Sequence, residues 1–190
     1  MASSSSQGCS VGVGPLLVRQ LAEQAAFMTP GQFATALGCA FAFLRLDEHD
    51  ESAPREVHHR EVSTEREEDE ETKTLVSSRW VVPKARGNAT VFLVPSTAAS
   101  LATLTVGRAS SCEVLVDVRS ISRRHAALGI DNTGPTLRDL ESENGTFVNG
   151  HRLRRDAALL RPLDIVTLAD VRLLFLDMNT LYDGLAVLSD

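Results

Sequence analysis

The stretch SRRHAALGIDNTGPTLRDLESENGTFVNG, Ser122–Gly150, decides the fold. Two short apolar-rich runs, His125–Ile130 and Thr136–Leu140, flank the turn-forming cluster Asp131–Asn132–Thr133–Gly134–Pro135. A third run, Thr146–Val148, sits between the pairs Asn144–Gly145 and Asn149–Gly150. Such runs are too short for ordinary helices, and Asn-Gly pairs accept the positive φ of tight turns, so the stretch reads as strands joined by turns. The pattern extends outward through Trp80–Val82, Thr90–Val94, Thr103–Val106 and Glu113–Val116 on one side, and Ile165–Leu168 and Arg172–Leu176 on the other. Pro83, Gly87–Asn88 and Gly107 punctuate it. About ten short strands within about 100 residues make an antiparallel sandwich or barrel. In a sandwich, function usually sits on the loops at one end.

Upstream the composition changes three times. Residues 1–14 are small and polar, which predicts disorder, and they lack the basic and apolar regions of a secretory signal. Residues 15–46 form a short helical and apolar segment. Leu16, Leu17, Leu21, Ala25 and Met28 have helical spacing. Thr29–Pro30–Gly31–Gln32 then reads as a second helix start, with Thr29 as N-cap, Pro30 at the first position and Gln32 closing a capping box. Ala40–Leu46 stays open between helix and strand, because its aromatic spacing of two also fits a strand. These elements pack on the main domain or on a copy of it; the alternative, a membrane surface, is opposed by the lack of lysine. Residues 47–77 are an acidic linker: twelve acidic against four basic side chains lie between Asp47 and Val76, with almost nothing large and apolar to bury. The expected organisation is completed by a binding domain over 78–178 and a short tail or helix over 179–190.

The 190 residues are 43% apolar and carry a net charge of -6. That balance opposes capture of nucleic acid, which needs a basic surface to release counterions. The acidic linker more than accounts for the deficit, which leaves the β-rich part slightly basic. Cys9, Cys39 and Cys112 are far apart and show no metal-ligand spacing, so the expectation is reduced thiols in a cytoplasmic protein. No apolar run is long enough to insert into a membrane.

The densest polar information lies in three places: Gly107–Arg108 after a strand, Ser122–Arg123–Arg124–His125 before one, and Ser142 to Gly150. Gly-Arg, then Ser-x-x-His, then Asn-Gly-Thr-x-x-Asn-Gly, in this order and spacing, resembles the forkhead-associated (FHA) domain. The resemblance covers roughly 79–177 and includes Asp139–Leu140 before the third block and Leu163–Asp164, Val166, Leu173 and Phe175 in the closing strands. It implies an all-β sandwich of about eleven strands that binds phosphothreonine peptides through loops at one end. The residues suit that chemistry by themselves. The planar fork of Arg108 matches a phosphate, Ser122 can donate a hydroxyl proton, and Arg123 adds charge and a backbone N–H. The Asn144 amide can bond a peptide main chain as donor and acceptor. By the family's pattern a pocket beside it receives the threonine methyl.

Gly107, His125, Gly145, Thr146 and Asn149 are read as supporting residues. Gly107 serves a tight turn, and Gly145 and Gly150 sit where other residues are disfavoured. His125 lacks the acid partner and nucleophile of a catalytic base; the resemblance makes it a brace between the Ser122 and Arg108 loops. Asn149 is a turn former, and Arg124 can be merely solvated. Glu143 departs from the pattern: it stands where the family often has Ser or Thr, and a carboxylate there repels a phosphate unless it points away or pairs with Arg123.

The expected function is a non-enzymatic phosphothreonine-binding adaptor in Ser/Thr kinase signalling, with no catalytic residues, no metal and no cofactor. Its partners would be phosphothreonine-containing proteins, a kinase or a kinase substrate. Arg119, Arg123 and Arg124 point to an acidic preference in the ligand. Thr64, Thr72 and Thr74 in the linker are candidate phosphorylation sites for self-regulation, beside the plainer reading of ordinary linker threonines. The alternative function is a phosphate-independent scaffold.

Overall fold

The computed structural model describes residues 15–46, 89–96, 102–131 and 134–186. The expected strand Trp80–Val82, the linker over 47–77, Thr64, Thr72, Thr74 and the segment 1–14 lie outside the described residues. Cys39–Leu46 (β2), which the sequence left between helix and strand, is a strand in the middle of a seven-stranded sheet. It runs antiparallel to Thr90–Pro95 (β3) on one side and to Val171–Asp177 (β12) on the other. Ile165–Leu168 (β11), Thr146–Val148 (β8) and His151–Arg152 (β9) extend the sheet beyond β12, and Leu16–Leu17 (β1) closes it beyond β3. A second sheet has the order Ala158–Leu159 (β10), Gly134–Asp139 (β7), Ala126–Asp131 (β6), Ala102–Gly107 (β4) and Val114–Leu115 (β5).

The larger sheet is buried on both faces. Phe43, Phe92, Val94, Leu173 and Phe175 point at the second sheet and join Leu104, Val106, Leu128 and Leu137 in the sandwich core. Ala42, Leu44, Leu46, Val91, Leu93, Leu174 and Leu176 point the other way, under a layer of three helices. These are Val18–Ala25 (α1), Pro30–Leu37 (α2) and Met178–Ala186 (α3). A strand covered on both sides reads as a continuous apolar run, which is why the alternation in β2 was weak.

Local chemistry sets the helix ends. The Gln32 N–H donates to the Thr29 hydroxyl at 3.4 Å, and the Thr29 N–H donates to the Gln32 side chain at 3.0 Å, the expected capping box. Gly38 ends α2 at φ 60, where a glycine carries no Cβ penalty. The Asp177 carboxylate accepts from the Thr180 N–H at 2.7 Å and starts α3, the helix expected in the tail. The Tyr182 hydroxyl donates to the Met28 carbonyl at 2.6 Å, and its ring meets Phe33 edge-on at 5.7 Å, tying α3 to α2 and to the turn that precedes it. The stretch 15–46 is therefore more than a helical segment beside the sandwich: it supplies an interior strand of the larger sheet. The fold is mostly β, two sheets and twelve described strands with three short helices.

Candidate functional site

Strand register brings the three polar loops to one end. Val106 pairs with Ala126, and Ala126 pairs with Asp139, so Arg108, His125 and the 140–145 loop emerge side by side from the smaller sheet. Leu168 pairs with Thr146 in the larger sheet, which brings the Ala169–Asp170 turn to the same end. Bonds between the loops close the arrangement: Ala169 N–H donates to the Gly145 carbonyl at 3.0 Å, and the Ser120 hydroxyl donates to the Asp170 carboxylate.

The Arg108 and Ser122 loops are locked backbone to backbone. Arg108 N–H donates to the Ser122 carbonyl at 3.2 Å and Ala109 N–H to the Arg123 carbonyl at 3.1 Å. A Cβ on Gly107 would lie 2.4 Å from that Arg123 oxygen. Gly107 does not have the positive φ found at Gly145 and Gly150, so close approach, rather than a tight turn, demands the glycine. The buried Cys112 thiol also donates to the Arg123 carbonyl, at 3.1 Å. Burial pushes its pKa up, which keeps it in the S–H form that can donate. No spacing in the sequence signalled this role, because the partner is a backbone atom.

His125 is fully buried. Its Nδ1 lies 3.1 Å from the Ser122 nitrogen and its Nε2 3.1 Å from the Gly145 carbonyl. Ser122 N–H can only donate, so Nδ1 is bare and Nε2 carries the proton that Gly145 accepts. The ring therefore braces the Ser122 loop against the Gly145 loop; the expected link to the Arg108 loop is made instead by its backbone N–H to the Val106 carbonyl, at 2.9 Å. Burial lowers the His125 pKa below the ordinary 6.5, against smaller opposing effects of the Gly145 carbonyl and Asp139.

The folded protein thus holds fewer protons at this ring than the unfolded chain, and stability rises with pH across the window below 6.5. Ligand-free protein is expected to keep a constant melting temperature above about pH 6.5 and to lose it progressively as pH falls below that value. Thermal unfolding between pH 7.5 and 5 checks this; a flat profile would refute it. Ligand-free protein is the sample of choice, because a phosphate titrates near pH 6.

The third loop hangs on a residue that sequence reasoning treated only as context. Asp139 accepts from the Ser142 and Thr146 hydroxyls at 2.6 and 2.5 Å and from Ser142 N–H at 3.0 Å. Burial alone would raise its pKa, but these donors and nearby His125 outweigh it and hold the carboxyl below its ordinary value. The Ser142 oxygen in turn accepts from Gly145 N–H at 3.0 Å. An Asp followed three residues on by Ser was the available signal. Asn149, at φ 50, sits in the turn after β8: its oxygen accepts from Ile165 N–H and its amide donates to Asp164, both at 2.9 Å.

Arg108, Arg119, Arg123 and Arg124 are exposed at this end, and among the described residues none is in an ion pair. The Ser122 oxygen accepts from Glu143 N–H at 3.1 Å, so the hydroxyl proton is left to donate outward. Glu143 is exposed, without a pairing to Arg123 among the described residues. Asn144 donates one amide hydrogen to the Ser120 carbonyl at 2.9 Å, which orients the side chain and leaves its oxygen for a ligand. Among the described residues no group of three or more His, Cys, Asp or Glu is placed to hold a metal, and no helix is long and apolar enough to cross a membrane.

A two-sheet sandwich with Gly-Arg, Ser-x-x-His and Asn-Gly-Thr loops gathered at one end is similar to the forkhead-associated type. Residues 104–169, about a third of the chain, match the FHA domain family model, and the chain carries an FHA domain. It is 43% identical over 72 residues to the ABC transporter ATP-binding/permease protein Rv1747 of Mycobacterium tuberculosis, spanning 38% of this chain and 8% of that one. Over 54 residues it is 46% identical to Vacuolar protein sorting-associated protein 64 of Saccharomyces cerevisiae, 27% of this chain and 9% of that one. The chain thus spans less than a tenth of either curated relative. Among solved structures it is similar to the FHA domain of CT664 from Chlamydia trachomatis, with a TM-score of 0.45 and 21% identity over 73% of this chain and 97% of that one.

Proposed function

We propose that this protein is a non-enzymatic reader of phosphothreonine in partner polypeptides, acting as an adaptor downstream of a Ser/Thr kinase. One observation carries the reading. The Arg108 guanidinium and the Ser122 hydroxyl proton stand unengaged among the described residues on loops locked to each other by backbone bonds, beside an Asn144 oxygen open to a ligand main chain. A guanidinium fork with a neighbouring hydroxyl donor suits a phosphate dianion, and a preordered site avoids an ordering cost on binding. The direct test compares a phosphothreonine peptide with its unphosphorylated form on wild type and Arg108→Ala. Partner capture that ignores both phosphate and Arg108 would favour the phosphate-independent scaffold.

One feature of the topology favours self-regulation through the linker. β2 ends at Leu46, paired with Arg172, and β3 begins at Thr90, so the chain leaves and re-enters the sheet at the end where the site loops lie. Two strand spacings of about 4.8 Å separate β2 from β11, which leads into the Ala169–Asp170 turn. Thr64, Thr72 and Thr74 are each more than ten residues from the nearer of the described strands β2 and β3, and an extended chain covers about 3.3 Å per residue. In this reading, phosphorylation of one of them supplies a ligand in cis that competes with partners. Kinase treatment followed by mass spectrometry and peptide titration is expected to show weakened binding of an added phosphopeptide; unchanged binding after stoichiometric linker phosphorylation overturns it.

A further inference from the structure

A second basic feature lies on the other side of the Asp139–Gly145 loop. β10 pairs with β7 through Ala158 with Leu137 and Leu159 with Thr136, so the connection from β9 to β10 passes the end of β7. This juxtaposes Arg154 and Arg155 with Arg138, Asp139, Leu140 and Glu141 around a cleft of about 340 Å³. All three arginines are exposed, and among the described residues none is in an ion pair. Of the two carboxylates, Asp139 is engaged by the Ser142 and Thr146 donors. Glu141 is exposed, so the lining carries three guanidiniums against two carboxylates, a balance of one positive charge, with the exposed Asp156 beside it. Three guanidiniums around one opening repel one another, and two lining carboxylates leave one of the three charges without a counter-charge in the lining, which a further oxyanion would supply.

The loop that walls this cleft is also the loop that carries Asn144. A polypeptide gripped at Arg108, Ser122 and Asn144 therefore passes close to the cleft on one side of its phosphothreonine. We infer that the Arg138–Arg154–Arg155 cleft is a second anion subsite, which receives an acidic group of the same bound polypeptide, either a side-chain carboxylate or a second phosphate. The inference rests on the reading of the Arg108 site as a phosphothreonine receptor. Guanidinium forks accept both oxyanions, and the dianion gains more. Exposure limits the effect and makes it sensitive to salt.

The test uses the full chain and labelled phosphothreonine peptides with alanine flanks. A single Asp, or a second phosphothreonine, is moved through the flanking positions in turn. At one position the acidic group is expected to tighten binding about three- to tenfold, the phosphate more than the carboxylate, with the gain shrinking in high salt. Arg154→Ala/Arg155→Ala is expected to erase the gain while leaving the alanine-flanked peptide's affinity unchanged, which also shows that the variant is folded. No gain at any position, or a gain that survives in the double variant, overturns the subsite and leaves the receptor reading standing. Failure of the receptor reading is recognised separately, as alanine-flanked peptides that bind equally with and without phosphate, and it removes the subsite with it.

Discussion

A polypeptide starting at residue 78, the boundary that composition marks, is expected to lack a folded core. Such a polypeptide omits β2, which forms backbone ladders with both β3 and β12. Ala42, Phe43 and Leu44 are 0–1% exposed, and they occupy both faces of the larger sheet. Their removal uncovers Phe175 on one side and Leu174 and Leu176 on the other, all 0% exposed in the full chain. Each buried Leu or Phe side chain contributes roughly 1.5–3 kcal/mol, against a total stability of about 5–15 kcal/mol for a domain. Two new strand edges would also be left open to aggregation. Near-ultraviolet circular dichroism and thermal unfolding check this: the shortened chain is expected to show no cooperative transition, while the full chain shows one. A cooperative transition near the full-length midpoint would show that the sandwich folds without β2.

Arg108→Ala is expected to leave the fold intact and to abolish useful phosphopeptide binding. The side chain is exposed, and the bond that holds its loop is made by its backbone N–H, which alanine retains. Substitutions of that kind change stability within about 0.5 kcal/mol. Binding is another matter. Hydrogen bonds to charged groups contribute about 1.5–3 kcal/mol each, and the fork can make two to one phosphate. Loss of both corresponds to a decrease in affinity on the order of 100-fold or more. Arg108→Lys keeps the charge without the fork and is expected to fall between wild type and Arg108→Ala. Isothermal titration with a phosphothreonine peptide, beside thermal unfolding of each variant, separates the two effects. Undiminished affinity in a folded Arg108→Ala protein would sink the proposed function.

Much of the framework was legible in residue order alone. β8 and β11 fall at the ends read from the turn residues, and the capping box at Thr29 and Gln32 starts α2 as expected. Such features depend on residues a few positions apart, whose chemistry does not need a distant partner. The residues proposed to face a ligand, Arg108, Ser122 and Asn144, could be picked out for the same reason, since each sits in a short loop with its own motif.

What the tertiary structure decided is what joins those loops. Gly107 is a glycine because the Arg123 carbonyl, from another loop, comes too close for a methyl group. His125 turned out to brace Ser122 and Gly145, and Cys112 holds the Arg123 carbonyl from beneath. β9 and β10, two residues each, exist only because neighbouring strands offer them an edge. β2 was ambiguous because burial on both faces removes the alternation that marks a strand exposed on one side. The sequence by itself determined a β sandwich and marked the residues proposed to meet a phosphate. Placing those residues together, and placing 15–46 inside the sandwich, required long-range pairing between segments that share no local signal.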